Sequence, residues 1–201
     1  MAARIKICGI TSLEQALKLA AFGADYLGFI VDYRESPRSL NLTELLEVVP
    51  QLKLAYPGVK CVGVFVDSDP EFVSDVLGDI PFDVIQLHGN ESPEYCASFL
   101  GQVEVWKAIL IVGGGDIAKA RQYRPFVNKI LFDAGRGGGE KIDFSLLKGE
   151  EVDVIAGGLA PTDIEEITRT LNPKIIDLNS KVEISPGIKD LSLLEKLFQS
   201  L

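Results

Sequence analysis

Eight short β-rich runs, separated by amphipathic helical patterns, constrain the fold of this chain more than any other feature. The ends of the runs recur about every 22 residues, with one longer gap after the second run. Strands that alternate with helices predict the α/β class with a parallel sheet, and eight such units favour closure into a (β/α)8, or TIM, barrel. The runs cover residues 5–8, 25–31, 60–66, 83–87, 103–111, 129–133, 153–157 and 174–178.

The first turn and the helix signals agree with a barrel rather than an open sheet. The first βα turn reads CGITS and lacks the G-x-G-x-x-G fingerprint that an open dinucleotide-binding sheet usually carries there. Asn41 with Glu44, and Thr162 with Glu165, fit capping boxes at helix starts. The sixth unit is weak, because a short FSLLKG fills its helix slot. Since no boundary interrupts the pattern, residues 1–201 are expected to form a single barrel domain.

Composition and charge argue against several classes of partner. The 201-residue chain has a net charge of −9 and no basic cluster, which disfavours nucleic acid and anionic membrane surfaces but leaves an anionic small ligand open. No apolar stretch approaches the ~20 residues that span a bilayer, and the start, MAARIKICGI, has no cleavage signature. Cys8, Cys61 and Cys96 are an odd number without paired spacing, so we expect reduced thiols and a cytoplasmic location.

Two side chains at strand ends are the strongest candidates for chemistry. The side chains of a strand alternate between its two faces, so Lys6 shares a face with Cys8, and Lys129 shares one with Asp133. Barrel enzymes carry their sites at the C-terminal ends of the strands, where Cys8 and Asp133 fall. If those faces point inward, a thiol and a carboxyl meet in the barrel mouth and can act as a base and an acid.

The order of seven short motifs adds a resemblance to this pattern. They are KICGIT at 6–11, GADYLGFI at 23–30, SPR at 36–38, GVFV at 63–66, QLHG at 86–89, AGGL at 156–159 and SPGIKD at 185–190. Over essentially its whole length, the chain resembles the phosphoribosylanthranilate isomerase family of tryptophan biosynthesis. The resemblance implies a cofactor-free Amadori rearrangement, the third step of that synthesis. In it the phosphosugar N-(5'-phosphoribosyl)anthranilate becomes 1-(2-carboxyphenylamino)-1-deoxyribulose 5-phosphate.

The resemblance also implies roles for three residues. Cys8 corresponds to the family's base, Asp133 to its acid, and Arg38 to the residue that holds the anthranilate carboxylate. By residue type alone, Arg38 would be an ordinary solvated loop arginine that carries little packing. A free thiol has a pKa near ~8.5 and an aspartic acid one near ~3.9, so each pKa would need to move toward neutrality. We therefore expect Cys8 near positive charge and Asp133 partly desolvated.

The remaining predicted site residues surround the substrate. His88 is the only histidine, so a multi-histidine metal site is excluded and no metal is expected. Gln86 and His88, both in QLHG, are expected to shape the pocket. The turns after the seventh and eighth strands are expected to hold the phosphate, as they often do in barrels. The substrate-binding residues predicted there are Gly157, Gly158, Asp177, Asn179, Ser180 and Lys181.

Two departures from the family pattern affect these expectations. Lys181 stands where the family usually has a glycine near the phosphate, so it either adds a cation to the site or blocks the approach to the backbone. The sixth loop, residues 136–144, reads RGGGEKIDF, in which Gly137 to Gly139 predict a mobile lid.

Two other functions stay open at the level of the sequence. A histidine-pathway isomerase barrel performs the same rearrangement on a ProFAR-type substrate, but it uses aspartate where this chain has Cys8. A non-catalytic barrel that binds a phosphate ligand is the second alternative, and Lys181 is the reason to keep it. A metal-dependent epimerase barrel is disfavoured by the single histidine. For assembly, the sequence does not choose among a homodimer, a fusion to other tryptophan-pathway enzymes and an association with them.

Overall fold

A closed barrel of parallel strands forms the centre of the molecule, in a computed structural model that describes residues 3–133 and 143–201. The first strand pairs with the second on one side and with the eighth on the other, which closes the sheet. The (β/α)8 prediction is therefore confirmed. The barrel strands are Arg4–Cys8 (β1), Tyr26–Val31 (β2), Lys60–Phe65 (β3), Val84–Leu87 (β4), Glu104–Leu110 (β5), Lys129–Asp133 (β6), Val154–Ile155 (β7) and Ile175–Leu178 (β8).

Helices follow the strands on the outside of the barrel. They are Leu13–Phe22 (α1), Leu42–Ala55 (α2), Pro70–Asp79 (α3), Pro93–Ala97 (α4), Gly114–Tyr123 (α5), Ile164–Leu171 (α6) and Leu191–Ser200 (α7). Between β6 and β7 the described part of the chain holds a short 3-10 turn, Phe144–Leu147, in the unit whose helix signal is also the weakest in the sequence. The predicted lid at Gly137 to Gly139 lies outside the described residues. No helix within 3–133 and 143–201 is long and apolar enough to cross a membrane.

The two predicted capping boxes have different outcomes. At the start of α2, the Glu44 N–H donates to Asn41 Oδ1 at 3.0 Å and the Asn41 N–H donates to Glu44 Oε2 at 2.8 Å, so this box is confirmed. The box at Thr162 is wrong, because α6 begins at Ile164 after a 3-10 turn, Pro161–Asp163. At this turn the Ala160 N–H donates to the Asp163 carboxylate at 2.8 Å. Asp163, rather than Glu165, therefore pairs with a backbone N–H that has no partner within the helix.

The alternation of side chains along the strands builds two apolar layers. On β1, Ile5 and Ile7 point outward and pack in the layer between barrel and helices. Cys8 belongs to the inner layer with Tyr26 and Trp106, whose ring centroids lie 5.2 Å apart. The fully buried Trp106 fills the barrel interior, so the open end of the barrel is a cavity with a packed floor rather than a pore.

The two other cysteines lie in the outer layer, away from the barrel interior. Burial raises the pKa of Cys61 to about 12 and that of Cys96 to about 11. Both thiols are therefore protonated and unreactive near neutral pH, and they act as small packing residues of the outer layer.

Candidate active site

A cavity of about 680 Å³ opens at the C-terminal ends of the strands. Every predicted site residue except Lys181 lines it. These residues are Cys8, Arg38, Gln86, His88, Asp133, Gly157, Gly158, Asp177, Asn179 and Ser180. Lys181 is exposed on the 3-10 turn Ser180–Val182 and is not among the described residues that line the cavity. The parallel strands explain the convergence, because all eight deliver their last residues to the same rim.

A second depression, of about 750 Å³, lies at the opposite end of the barrel and is wide open to solvent. Its charged residues are already paired: Asp83 binds Lys53 at 2.7 Å, and Glu104 binds Lys129. Because barrel chemistry sits at the C-terminal ends of the strands, the first cavity is the candidate active site.

Cys8 ends β1 and is buried at the floor of the cavity. Its neighbour across the sheet is Gly28 on β2. A Cβ atom added at Gly28 would lie 2.8 Å from Cys8 Sγ and 3.0 Å from Lys6 Nζ. Glycine at position 28 therefore leaves the space in which the thiol and the ammonium group meet.

Lys6 forms an ion pair inside the barrel with Asp177 on β8. The two residues are direct partners in the β1–β8 register, and Nζ lies 2.8 Å from Oδ2. The side chains of Lys6 and Asp177 are 0% and 6% exposed. Burial acts to lower the pKa of Lys6, whereas the neighbouring Asp177 and Cys8 act to raise it. The raising effects are larger in sum, so the pKa of Lys6 lies above its ordinary value and its ammonium group is charged. Asp177 Oδ1 is buried without a hydrogen-bond partner among the described residues.

The surroundings of Cys8 correct one expectation from the sequence. Positive charge is present as predicted, since Lys6 and Lys189 both lower the pKa of the thiol. Burial, the largest influence, and the charge of Asp177 act against these cations, and the pKa of Cys8 stays above its ordinary value. The expected movement toward neutrality is therefore wrong, because loss of water and a nearby carboxylate together disfavour the thiolate more strongly than the two ammonium groups favour it.

Asp133 ends β6 and is buried beside His88, in agreement with the desolvation expected for it. His88 Nε2 lies 3.2 Å from Asp133 Oδ2, and His88 Nδ1 lies 2.8 Å from Gln86 Nε2. Because an amide NH2 group can only donate, Nδ1 accepts this bond and the neutral ring carries its proton on Nε2. The Nε2–H group then donates to the Asp133 carboxylate. Gln86 Oε1 is buried with no hydrogen-bond partner in the part of the chain that the structure describes.

Arg38 is not a solvated loop arginine. Its Nε and Nη2 atoms donate to the Glu183 carboxylate in a fork, at 2.7 to 3.1 Å, and the side chains of Arg38 and Glu183 are 14% and 3% exposed. Lys189 Nζ lies 2.8 Å from the same carboxylate. The sequence interpretation missed Glu183 and Lys189, although Lys189 lies in SPGIKD. Two cations therefore share one anion behind this wall of the cavity, although burial lowers the pKa of Lys189.

The turns after β7 and β8 supply hydrogen-bond donors. Gly157 and Gly158 have φ of +97° and +61°, a conformation that glycine adopts without the steric cost that a Cβ atom brings. Asn179 Oδ1 accepts from Lys189 Nζ at 2.8 Å. Since this fixes the amide oxygen toward Lys189, the NH2 group of Asn179 remains as a donor. Together with Ser180, these groups form a polar wall suited to an anion.

The fold and the cavity define the class of this protein: a (β/α)8-barrel enzyme with its candidate site at the C-terminal ends of the strands. The family model for N-(5'-phosphoribosyl)anthranilate (PRA) isomerase matches residues 5–200, and the chain belongs to this family. The N-(5'-phosphoribosyl)anthranilate isomerase of Geobacter sp. strain M21 is 38% identical over 93% of this chain and 92% of its own length.

Solved structures of this family have the same fold. Monomers of the dimeric phosphoribosylanthranilate isomerase from Thermotoga maritima align with a TM-score of 0.86 and 34% identity, over 99% of this chain and 100% of theirs. A phosphoribosyl anthranilate isomerase in complex with reduced 1-(o-carboxyphenylamino)-1-deoxyribulose 5-phosphate aligns with a TM-score of 0.87 and 33% identity. That alignment covers 98% of this chain and 97% of the other.

Proposed function

We propose that this chain converts N-(5'-phosphoribosyl)anthranilate to 1-(2-carboxyphenylamino)-1-deoxyribulose 5-phosphate, the third step of tryptophan biosynthesis. Membership of the family supports the activity. One observation carries the assignment of roles: Cys8 from β1 and Asp133 from β6 line one cavity at the same end of the barrel. A base and an acid on separate strands can then act on one sugar that lies between them.

The rearrangement needs one proton donor and one proton acceptor. Asp133 in its protonated form gives a proton to the furanose ring oxygen, and the ring opens to a protonated imine. The thiolate of Cys8 then takes the proton from C2 of the sugar, which leaves an enolamine that tautomerises to the ketone. Substrate and product are isomers, so no oxidant or reductant is consumed. Each catalytic group of this kind typically contributes ~10²–10⁴-fold to the rate.

Lys6 is the group that favours the thiolate. Its ammonium group is fully buried, is held in place by Asp177, and lowers the pKa of Cys8. A thiolate formed in this dry environment is a stronger base than one in water, because its pKa remains above the ordinary value. The cation and the burial thus act in opposite directions: Lys6 increases the amount of thiolate and lowers its basicity, whereas burial decreases the amount and raises the basicity.

Different walls of the cavity bind the two ends of the substrate in this proposal. The anthranilate carboxylate is assigned to Arg38, whose Nη1 has no acceptor among the described residues while Nε and Nη2 hold Glu183. The phosphate is assigned to the wall formed by Gly157, Gly158, Asn179 and Ser180, which offers uncharged donors. The buried oxygens Asp177 Oδ1 and Gln86 Oε1 have no hydrogen-bond partner among the described residues. They are suited to accept hydrogen bonds from the hydroxyl groups of the sugar.

The direct test is to make phosphoribosylanthranilate in situ, add the protein and follow the decay of substrate fluorescence. Cys8→Ala and Asp133→Asn are expected to lose ~10²-fold or more in kcat while the far-UV circular dichroism spectrum stays unchanged. Cys61→Ala, which removes a buried thiol outside the cavity, is the matched control and should keep its turnover. Near-normal turnover by Cys8→Ala or by Asp133→Asn would refute the role assigned to that residue.

The same assay separates the alternative functions. Equal or faster turnover of a ProFAR-type substrate would favour the histidine-pathway reaction. Stoichiometric binding of the product with no turnover of either substrate would identify a non-catalytic binder. The charge of Arg38 does not separate these substrates, since a ProFAR-type substrate carries a second phosphate where the anthranilate substrate carries a carboxylate, so the comparison of turnover decides.

Compartment, domain structure and assembly are part of the same proposal. Three buried free thiols fit a reducing cytoplasm. A single barrel domain over residues 1–201 should unfold in one cooperative transition. By analogy with the dimeric T. maritima relative this chain forms a homodimer, which light scattering on the purified chain would test.

A further inference from the structure

A buried ion pair next to the cavity links β5 to the loop after β4. Lys107 Nζ lies 3.0 Å from Glu91 Oε2, and each side chain is 1% exposed. Tyr123 donates its hydroxyl to the Glu91 backbone carbonyl at 2.9 Å, and the Asp67 N–H donates to Glu91 Oε1 at 3.0 Å. Such pairs add little net stability compared with apolar residues of similar volume, so what this pair holds is more informative than its energy.

The pair holds the backbone on both sides of His88. Lys107 Nζ donates to the carbonyl of Leu87 at 3.1 Å and to that of Gly89 at 2.8 Å. The Gly89 N–H in turn donates to the carboxylate of Glu91, at 3.0 and 3.1 Å from its two oxygens. The peptide groups that precede and follow His88 are therefore both tied to one buried ammonium–carboxylate pair.

The ring of His88 depends on this backbone for its position. The His88 N–H donates to the Phe65 carbonyl at 2.8 Å, which fixes the Cα from the β3 side. With the backbone fixed, Nδ1 faces Gln86 at 2.8 Å and Nε2 faces Asp133 at 3.2 Å. A rotation of the loop would weaken both contacts, because each ring nitrogen has one partner at hydrogen-bond distance among the described residues.

We propose that Lys107 and Glu91 are positioning residues, which clamp the loop so that the Nε2–H group of His88 holds the carboxyl of Asp133 in one orientation. Neither residue touches the reacting atoms; they act through His88. The catalytic part of this inference rests on the proposed role of Asp133, whereas the orientation of His88 can be measured without any substrate. Misplacement of a reacting group by about 1 Å can cost ~10²-fold in rate.

The single histidine makes the test direct. In protein labelled with ¹⁵N-histidine, a long-range ¹H–¹⁵N spectrum shows one ring and reports which nitrogen carries the proton. The ligand-free wild type is expected to show one tautomer, with the proton on Nε2. Three variants are compared with it: Glu91→Gln, Lys107→Met, and the double variant that removes both charges together. Lys53→Met, which breaks the Lys53–Asp83 pair at the other end of the barrel, is the matched control.

The outcomes separate a positioning role from a structural one. The clamp predicts that the Lys107 and Glu91 variants show a mixture of tautomers and that their kcat falls ~10²-fold with little change in KM. The control variant Lys53→Met should be less stable than the wild type but keep its histidine spectrum and its kcat. A lower melting temperature with an unchanged histidine spectrum and kcat would overturn the proposal. A mixture of tautomers in the wild type would also overturn the proposal. This measurement needs no variant, so it remains decisive if the variants fail to fold. Full activity of Asp133→Asn would instead refute the proposed acid.

Discussion

Lys6 and Asp177 face each other across β1 and β8, and their Nζ–Oδ2 distance of 2.8 Å closes an ion pair inside the barrel. Cys8 lies two residues along β1 on the same face, so the pair places a permanent cation beside the thiol. Gly28 keeps the space between the thiol and the ammonium group open. The floor of the cavity is therefore charged although apolar side chains surround it.

Replacing Lys6 is expected to make Cys8 less reactive. Since Lys6 lowers the pKa of the thiol, Lys6→Met should raise that pKa further and move the pH profile of alkylation upward. At a pH below the pKa, a thiol whose pKa is higher by about one has about tenfold less thiolate, and because that thiolate is more nucleophilic the rate falls by about threefold. Rates with iodoacetamide at pH 7 to about 11, read for the Cys8 peptide by mass spectrometry, measure the effect.

Two comparisons make this prediction specific. Lys18→Met removes an exposed lysine that pairs with Glu14 on α1, and it should leave the profile unchanged. Breaking a buried pair from one side costs about 3–5 kcal/mol, so Lys6→Met is expected to be much less stable than Lys6→Met/Asp177→Asn. If the pH profile of alkylation is unchanged in both Lys6→Met and Lys6→Met/Asp177→Asn, the Lys6 ammonium group has no effect on the thiol.

Arg38→Ala is expected to cost stability as well as substrate binding. The fork to the nearly buried Glu183 would be lost, and hydrogen bonds to charged groups are worth about 1.5–3 kcal/mol. KM should rise because the anthranilate carboxylate loses its guanidinium partner. Urea unfolding and steady-state kinetics measure the two effects, with Arg34→Ala, an exposed arginine of the same loop, as the control. A stability equal to that of Arg34→Ala would mean that the fork contributes nothing.

The strands could be predicted because their signal is local. The predicted run 129–133 coincides with β6, and its alternate residues point inward as expected. The run 153–157 was too long, since β7 ends at Ile155 and Gly157 already has a φ of +97°. Cys8 and Asp133 were found from their places at strand ends, which is also local information.

The charge pairs could not be predicted in the same way. Glu183 binds Arg38 across a sequence separation of 145 residues, and Glu91 binds Lys107 across 16. Glu183 begins a short strand after β8 and Glu91 lies in the loop after β4, and the path of both segments depends on the assembled barrel, so no period or spacing indicates these pairs. The net pKa of Cys8 was missed for the same reason, because burial and the positions of Lys6, Asp177 and Lys189 decide it together.

Lys181→Gly is expected to have little effect on phosphate affinity. The structure leaves Lys181 exposed and outside the residues that line the cavity, so it neither contacts nor blocks the polar wall. Gly158→Ala, in contrast, should weaken phosphate binding, since a residue with a Cβ atom is strained at φ +61° and would shift the turn that offers the donors. Calorimetric titration with ribose 5-phosphate compares the variants. A large gain for Lys181→Gly would show that the lysine obstructs the site, and a large loss would show that it binds.

Asp153 should make the barrel sensitive to acid. Burial alone would raise the pKa of Asp153, but hydrogen bonds from Lys174 and the Ile130 N–H and the charge of Arg124 hold it below the ordinary value. A carboxyl with a lowered folded-state pKa stabilises the fold above its unfolded pKa of about 3.9, and the benefit disappears as pH falls through the folded value. Asp153→Asn should therefore lower the free energy of unfolding by about 1–3 kcal/mol at pH 7, and this deficit against the wild type should shrink below about pH 4.

Urea unfolding of both proteins at several pH values measures the deficit. The contributions of the other carboxylates are the same in both proteins and cancel in the difference. Glu14→Gln, which alters an exposed pair on α1, should show little deficit at any pH, and a deficit for Asp153→Asn that stays constant into acid would contradict the assignment.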